Sequence, residues 1–209
     1  MVDGMDSGIS TLDRIHIAAK EEFLEKGFKS ASLRNIVKTA GVTTGAFYGY
    51  YTSKEELFKA LVAEVYETIL GKFTDILNVF EKLPPERQVN EMSVLSRECL
   101  YEILEYSLAH IDELHLILQS SEGTPYSFLI DSMIDLEIDS THKYYRTLSK
   151  LGYNAPDVEK MTEHILVTGM MNAFFEIIIH ELPLEEAKAC LSQLFDFYNA
   201  GWLKIMGQQ

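Results

Sequence analysis

The sequence predicts an all-α protein of about nine helices, and three observations carry that reading. Apolar residues recur at spacings of three and four along most of the 209 residues. Glycine and proline interrupt this rhythm at Gly27, Gly41, Pro84-Pro85, Gly123-Thr124-Pro125, Gly152 and Pro183, at intervals that suit helix lengths. Nothing between these breaks reads as a strand. The breaks place helices near 10–26, 33–39, 44–50, 54–81, 86–109, 111–120, 126–151, 157–180 and 184–206.

The first three helices are short and closely joined. In the first, Ile15, Ala18, Ala19, Phe23 and Leu24 share one face, and Gly27 ends it. Ser32 is placed to N-cap the second, whose apolar stripe is Leu33, Ile36 and Val37. The turn Ala40-Gly41-Val42 follows, and a third short helix starts at Thr43 or Thr44. Two short helices joined by a glycine-containing turn describe a helix-turn-helix. Ser53-Lys-Glu-Glu56 reads as a capping box that starts the long fourth helix.

Charge is distributed unevenly. The chain carries a net charge of −14, yet the window Lys26–Lys54 holds five basic residues and no Asp or Glu. From Glu55 onward eleven Lys or Arg face twenty-six acids. A phosphate backbone is repelled by the second part and admitted only by the first.

In a helix-turn-helix the second helix of the pair enters the major groove, and its first residues meet base edges. That assigns Thr43, Thr44, Gly45 and Ala46 to bases, through hydroxyls, methyls and close backbone approach. Tyr48 and Tyr50 can reach phosphate oxygens, as can Lys54 at a helix N-terminus. Ser32, Arg34 and Gly49 complete the candidate DNA surface, while Phe47 and Tyr51 pack inward. Gly49 carries about 1 kcal/mol of helix-propensity cost relative to Ala and suits either a close backbone approach or a fraying last turn.

"RIHIAAKEEFLEKGF" (14–28) and "ASLRNIVKTAGVTTGAFYGYYTSKEELFKAL" (31–61), followed by an acidic helical remainder, resemble the TetR/AcrR family of transcriptional repressors. The motif match covers about the first sixty residues. The resemblance implies a helix-turn-helix domain over 1–53 and an effector-binding and dimerisation domain over 54–209. It also implies a homodimer on a palindromic double-stranded DNA operator, released by a small molecule. The recognition helix departs from the common family pattern. Lys is frequent where Thr44 stands, Thr where Ala46 stands, His or Arg where Gly49 stands, and Phe where Tyr51 stands. Loss of the two cations predicts a shallower salt dependence than a typical member has.

In the remainder, helix 157–180 is apolar all round, which suggests that a partner subunit covers one face. The predicted interface takes Ile165, Gly169, Ala173, Phe174 and Ile178 from it. The last helix contributes Leu191, Leu194, Phe195, Tyr198 and Trp202. Helix 126–151 sets Asp131, Asp135, Asp139, His142 and Arg146 on one face and an apolar stripe including Met133 and Tyr144 on the other. Glu137 falls within that stripe, so its carboxylate is paired, protonated or facing a cavity. An effector pocket around Glu137 would draw on Tyr101, Tyr106, Phe128, Met133 and Tyr144. His164, Thr168, Met171 and Phe175 would close it from the next helix.

Other functions find little support. Asp112/His115 and Asp139/His142 have a carboxylate-x-x-His spacing, but Asp139 and His142 lie on a charged face, so a metal is not expected. No nucleophile, dinucleotide or phosphate-loop motif occurs, so neither enzyme activity nor a cofactor is expected. Cys99 and Cys190 read as buried apolar residues in a reducing, cytoplasmic setting. The start "MVDGMDSGIS" lacks the features of a secretory signal, and the apolar run 165–179 is interrupted by Asn172 and Glu176, so no membrane partner is expected. The alternative reading is a helical small-molecule sensor or protein-binding module that has lost specific DNA binding.

Overall fold

The computed structural model describes residues 9–153 and 158–206. The described residues are helical, with no strand: α1 (Thr11–Ser30), α2 (Leu33–Thr39), α3 (Thr44–Tyr48), α4 (Lys54–Lys82), α5 (Pro85–Ala109) and α6 (Ile111–Ser120). A 3₁₀ turn (Pro125–Phe128) precedes α7 (Leu129–Lys150), α8 (Lys160–Ile179) and α9 (Leu184–Ile205). The all-α expectation therefore holds, and most boundaries differ by only a few residues.

Three boundaries were set by local chemistry that periodicity does not report. Helix 126–151 begins instead at Leu129, because Thr124 takes the N–H of Tyr126 on its hydroxyl and ties the preceding turn into 3₁₀ geometry. The helix expected from 157 starts at Lys160, where the Glu159 carboxylate accepts the N–H groups of Met161 and Thr162; residue 157 lies outside the described residues. At Gly27, φ is +70°, and the chain makes one further turn before Ser30.

The chain divides into two units. The first runs to Tyr66 and includes Asp112–Ser127; the second comprises Glu67–Ile111 and the chain from Phe128 onward. The boundary expected after residue 53 thus falls short of the contact boundary. The reason is the apolar face of early α4, where Leu57, Phe58 and Val62 are fully or almost fully buried. Phe58 meets Phe23 edge-on at 5.0 Å and Phe28 at 5.1 Å, and Tyr126 lies 6.2 Å away. Leu24, expected on the same face as Phe23, is exposed.

In the second unit α5, α7, α8 and α9 pack together with the later turns of α4. The helix α8 is long and apolar enough to cross a membrane by length and composition. Its Val167, Met171, Phe174, Phe175 and Ile178 are buried within the unit, as in the core helix of a bundle. This corrects part of the expected dimer surface. Phe174, Ile178, Leu191 and Phe195 are buried inside a single chain, with no partner needed to cover them. Gly169 does admit a close helix, but the neighbour is α9 of the same chain: a Cβ at Gly169 would stand 3.0 Å from the Tyr198 hydroxyl. What α8 and α9 leave open is led by Phe197 (74% exposed) on α9 and by Met161 (61%) and Ile165 (60%) on α8.

Candidate nucleic-acid interface and ligand cavity

The helix-turn-helix is assembled by α1, α2 and α3. Glu22 on α1, itself buried, ties the end of α1 to the start of α2. Its carboxylate accepts the backbone N–H of Ser32 at 2.9 Å and the Lys26 ammonium at 2.9 Å and 3.0 Å. The Ser32 N–H, followed by Lys26, holds the Glu22 carboxyl below its ordinary pKa. Sequence reasoning missed this residue. An acid on the mostly apolar flank of α1, next to Phe23, was the available signal. Ser32 stands at the N-cap position of α2 but makes no side-chain cap; its backbone N–H is the group that Glu22 holds.

Gly41 takes φ +64°, the left-handed conformation that an L-residue rarely adopts, and turns the chain from α2 toward α3. Thr43 caps α3, its Oγ1 accepting the Ala46 N–H at 3.1 Å. One hydroxyl proton of Thr43 remains for an outside acceptor. Phe47 is fully buried, and Tyr51 is buried with its hydroxyl 2.5 Å from His16 Nε2. These two anchors leave Thr43, Thr44, Gly45, Tyr48, Gly49 and Tyr50 exposed together, with Tyr48 at 54% and Tyr50 at 48%. Ala46 is half-buried and Arg34, on α2, is exposed.

Gly49 is the C-cap of α3, with φ −74°, so its conformation does not require glycine. A Cβ there would come within 3.3 Å of the Ala46 carbonyl. Of the two expectations for this residue, the ending turn is the one the geometry supports. Gly45 has only the Thr43 hydroxyl within 4.0 Å of a would-be Cβ, so the fold itself leaves the space above it open.

Lys54 is a correction. Its ammonium is turned inward, donating to the carbonyls of Phe28 (2.6 Å), Ala31 (3.0 Å) and Lys29 (3.4 Å) over the Phe28 ring. All three donors serve the unpaired carbonyls at the end of α1, so none is offered to a phosphate. The capping box is also shifted. Ser53 Oγ caps the Glu56 N–H, but the Glu56 carboxylate turns to the backbone N–H and hydroxyl of Thr52 rather than to Ser53.

The second unit contains a cavity of about 100 Å³ between α4, α5, α7, α8 and α9. Of the ten residues expected to line it, Glu137, Tyr144 and Met171 do. Tyr101, Tyr106, Phe128, Met133, His164, Thr168 and Phe175 do not: Met133 and Phe175 are buried elsewhere in the core, and Phe128 and His164 are exposed. Phe195, Tyr198 and Trp202, expected at a dimer interface, face the cavity instead. Sequence reasoning missed the wall from α4 and α5, including Phe73, Phe80, Met92 and Cys99. The three-and-four spacing of Phe73, Leu77 and Phe80 was its readable sign.

Glu137 makes no hydrogen bond or ion pair among the described residues, and burial alone raises its pKa from 4.5 to about 7. Burial, with the charges of Glu102 and Glu137, pushes the Cys99 thiol up to about 12. Cys99 therefore remains a protonated, unreactive wall residue. Cys190, expected to be buried, is exposed.

The expected charged face of α7 is also revised. His142 Nε2 lies 2.7 Å from Oε2 of buried Glu163 on α8, so it joins two helices while its side chain stays 43% exposed. Asp139 pairs with Lys143, and Asp112 with Lys20. No group of three potential metal ligands occurs among the described residues.

A three-helix unit that buries its aromatic anchors and exposes an acid-free recognition helix defines a helix-turn-helix DNA-binding domain. Residues 15–61, which hold the helix-turn-helix and the start of α4, match the family model for bacterial regulatory proteins of the tetR family. The chain is 37% identical over 76 residues to the HTH-type transcriptional regulator UidR of Escherichia coli, which covers 36% of this chain and 39% of UidR. It is 33% identical over 98 residues to the HTH-type transcriptional regulator YdgC of Bacillus subtilis, covering 47% of this chain and 49% of YdgC. The matched segments thus span less than half of each of these relatives. The fold is shared more widely. A TetR-family regulator from Streptomyces coelicolor superposes with a TM-score of 0.58 at 14% identity, over 88% of both chains. Salmonella enterica GusR superposes with a TM-score of 0.53 at 18% identity, over 98% of this chain and 100% of its own.

Proposed function

We propose that this protein is a ligand-responsive transcriptional repressor that binds a palindromic operator as a homodimer and is released by a small-molecule effector. The observation that carries the reading is the exposed surface of α3 in an acid-free window of a −14 chain. Thr43, Thr44 and Gly45 meet base edges, while Tyr48, Tyr50 and Arg34 contact the backbone. The open faces of α8 and α9, with Ile165 and Phe197, supply the dimer contact. The effector occupies the cavity beside Glu137.

The helix α4 is common to both units, since residues up to Tyr66 belong to the first and those from Glu67 to the second. It is the covalent lever through which an occupied cavity biases operator spacing. Coupling of about 1–3 kcal/mol is the usual scale for such an effect. The protein acts in the cytoplasm, with no cofactor and no catalytic step.

A gel shift against the DNA upstream of the protein's own reading frame tests the reading. A specific shift at low salt, weakened by Tyr48→Phe and Tyr50→Phe, is expected. No specific shift would instead favour a helical sensor that does not bind DNA.

A further inference from the structure

The proposed effector site has a chemistry that narrows what can fill it. Among the described residues that line the cavity, Glu137 is the only one with a formally charged side chain, and none is a Lys, Arg or His. The rest is aromatic, methionine and aliphatic surface with a few small polar groups. Two of those polar groups satisfy each other, since Ser93 Oγ donates to Asn199 Oδ1 at 2.7 Å. Glu137 has no such partner among the described residues, and its carboxyl is costly to keep ionised without one.

A half-buried acid that faces a cavity with no protein cation is complemented when the ligand brings the cation. Aromatic walls favour the same charge, because the faces of Trp, Tyr and Phe rings attract ammonium groups. The cavity supplies Trp202, Tyr144 and Tyr198 beside the acid-bearing helix and its neighbours. An anionic ligand would meet Glu137 as a like charge, and a purely apolar one would leave it unpaired. Volume sets a second limit: about 100 Å³ is on the scale of the cavities that hold a single benzene ring, roughly 150 Å³.

We propose that the cavity selects a small lipophilic monocation, an ammonium carried on one aromatic or alkyl body, with Glu137 as its counter-ion. This rests on the cavity being a ligand site.

Trp202 is the only tryptophan of the chain and lines the cavity, so its fluorescence reads occupancy directly. The probes are benzylamine and benzyl alcohol, matched in size and differing in charge, titrated at millimolar concentrations and pH 8 into the full chain and into Glu137→Gln. The amine is expected to change Trp202 emission with an affinity at least about tenfold above that of the alcohol, the preference disappearing in Glu137→Gln. Equal binding of both probes to the unaltered protein would overturn the cation preference and leave the cavity as a ligand site. A preference that persists in Glu137→Gln would overturn the role of Glu137. A response to neither probe would overturn the cavity reading together with the proposal.

Discussion

Lys54 Nζ lies 2.6 Å from the carbonyl oxygen of Phe28 and 4.6 Å from the centre of the Phe28 ring. One side chain at the start of α4 thereby closes the end of α1 and fixes the scaffold that carries α3. Lys54→Met leaves those carbonyls without their charged donor and should cost about 1–2 kcal/mol in a urea titration. Because the ammonium is already committed, the salt dependence of operator binding should keep its slope. A slope reduced by about one would return Lys54 to the DNA surface.

Glu22 is the second support of the same scaffold. Its folded pKa lies below 4.5, through the Ser32 N–H first and Lys26 next. A depressed acid pKa contributes stability that is present above 4.5 and is lost as pH falls through the lower folded value. Glu22→Gln should therefore be less stable than the unaltered protein at neutral pH, by about 1–2 kcal/mol. The difference should close during acid titration below pH 4.5. A difference independent of pH would assign the loss to packing.

Glu137 has the opposite sign. Its pKa is raised from 4.5 to about 7, so the folded state holds a proton that the unfolded chain has released. Stability falls as pH rises across that interval and levels off above it. Glu137→Gln should be the more stable form above pH 7, by roughly 1–3 kcal/mol after allowing for water entering the cavity. The advantage should vanish near pH 4.5, as read from paired thermal melts.

Thr44 is exposed at the first turn of α3, and a lysine there is long enough to reach past the base edges to a phosphate. Thr44→Lys should steepen the dependence of operator affinity on salt by about one unit of log–log slope. Fluorescence anisotropy across a salt series measures it. An unchanged slope would mean that this position does not approach the backbone.

The first sixty residues were legible because short-range rules govern them. Apolar spacing put Ile15, Phe23, Ile36 and Phe47 inside, and Gly41 was needed for its left-handed turn. Hidden there were side chains whose partners lie far along the chain: Lys54 reaches back to Phe28, and nothing in the local spacing says so. The second unit was legible as helices but not as a site. An all-apolar helix such as α8 shows that it is covered, not by what, and its cover proved to be α7 and α9 of the same chain. Glu137 stood out because a lone acid interrupts an apolar stripe. The residues opposite it on α4 and α5 carry no such contrast, so Phe73, Phe80 and Met92 were missed.

A nuclease footprint on the upstream DNA tests the central claim most directly. The account predicts a two-fold symmetric protected site whose half-sites are centred about 34–36 Å apart, or a multiple of that, and which is lost on adding the effector. Absence of protection at low salt, or protection of one asymmetric half-site only, would contradict it.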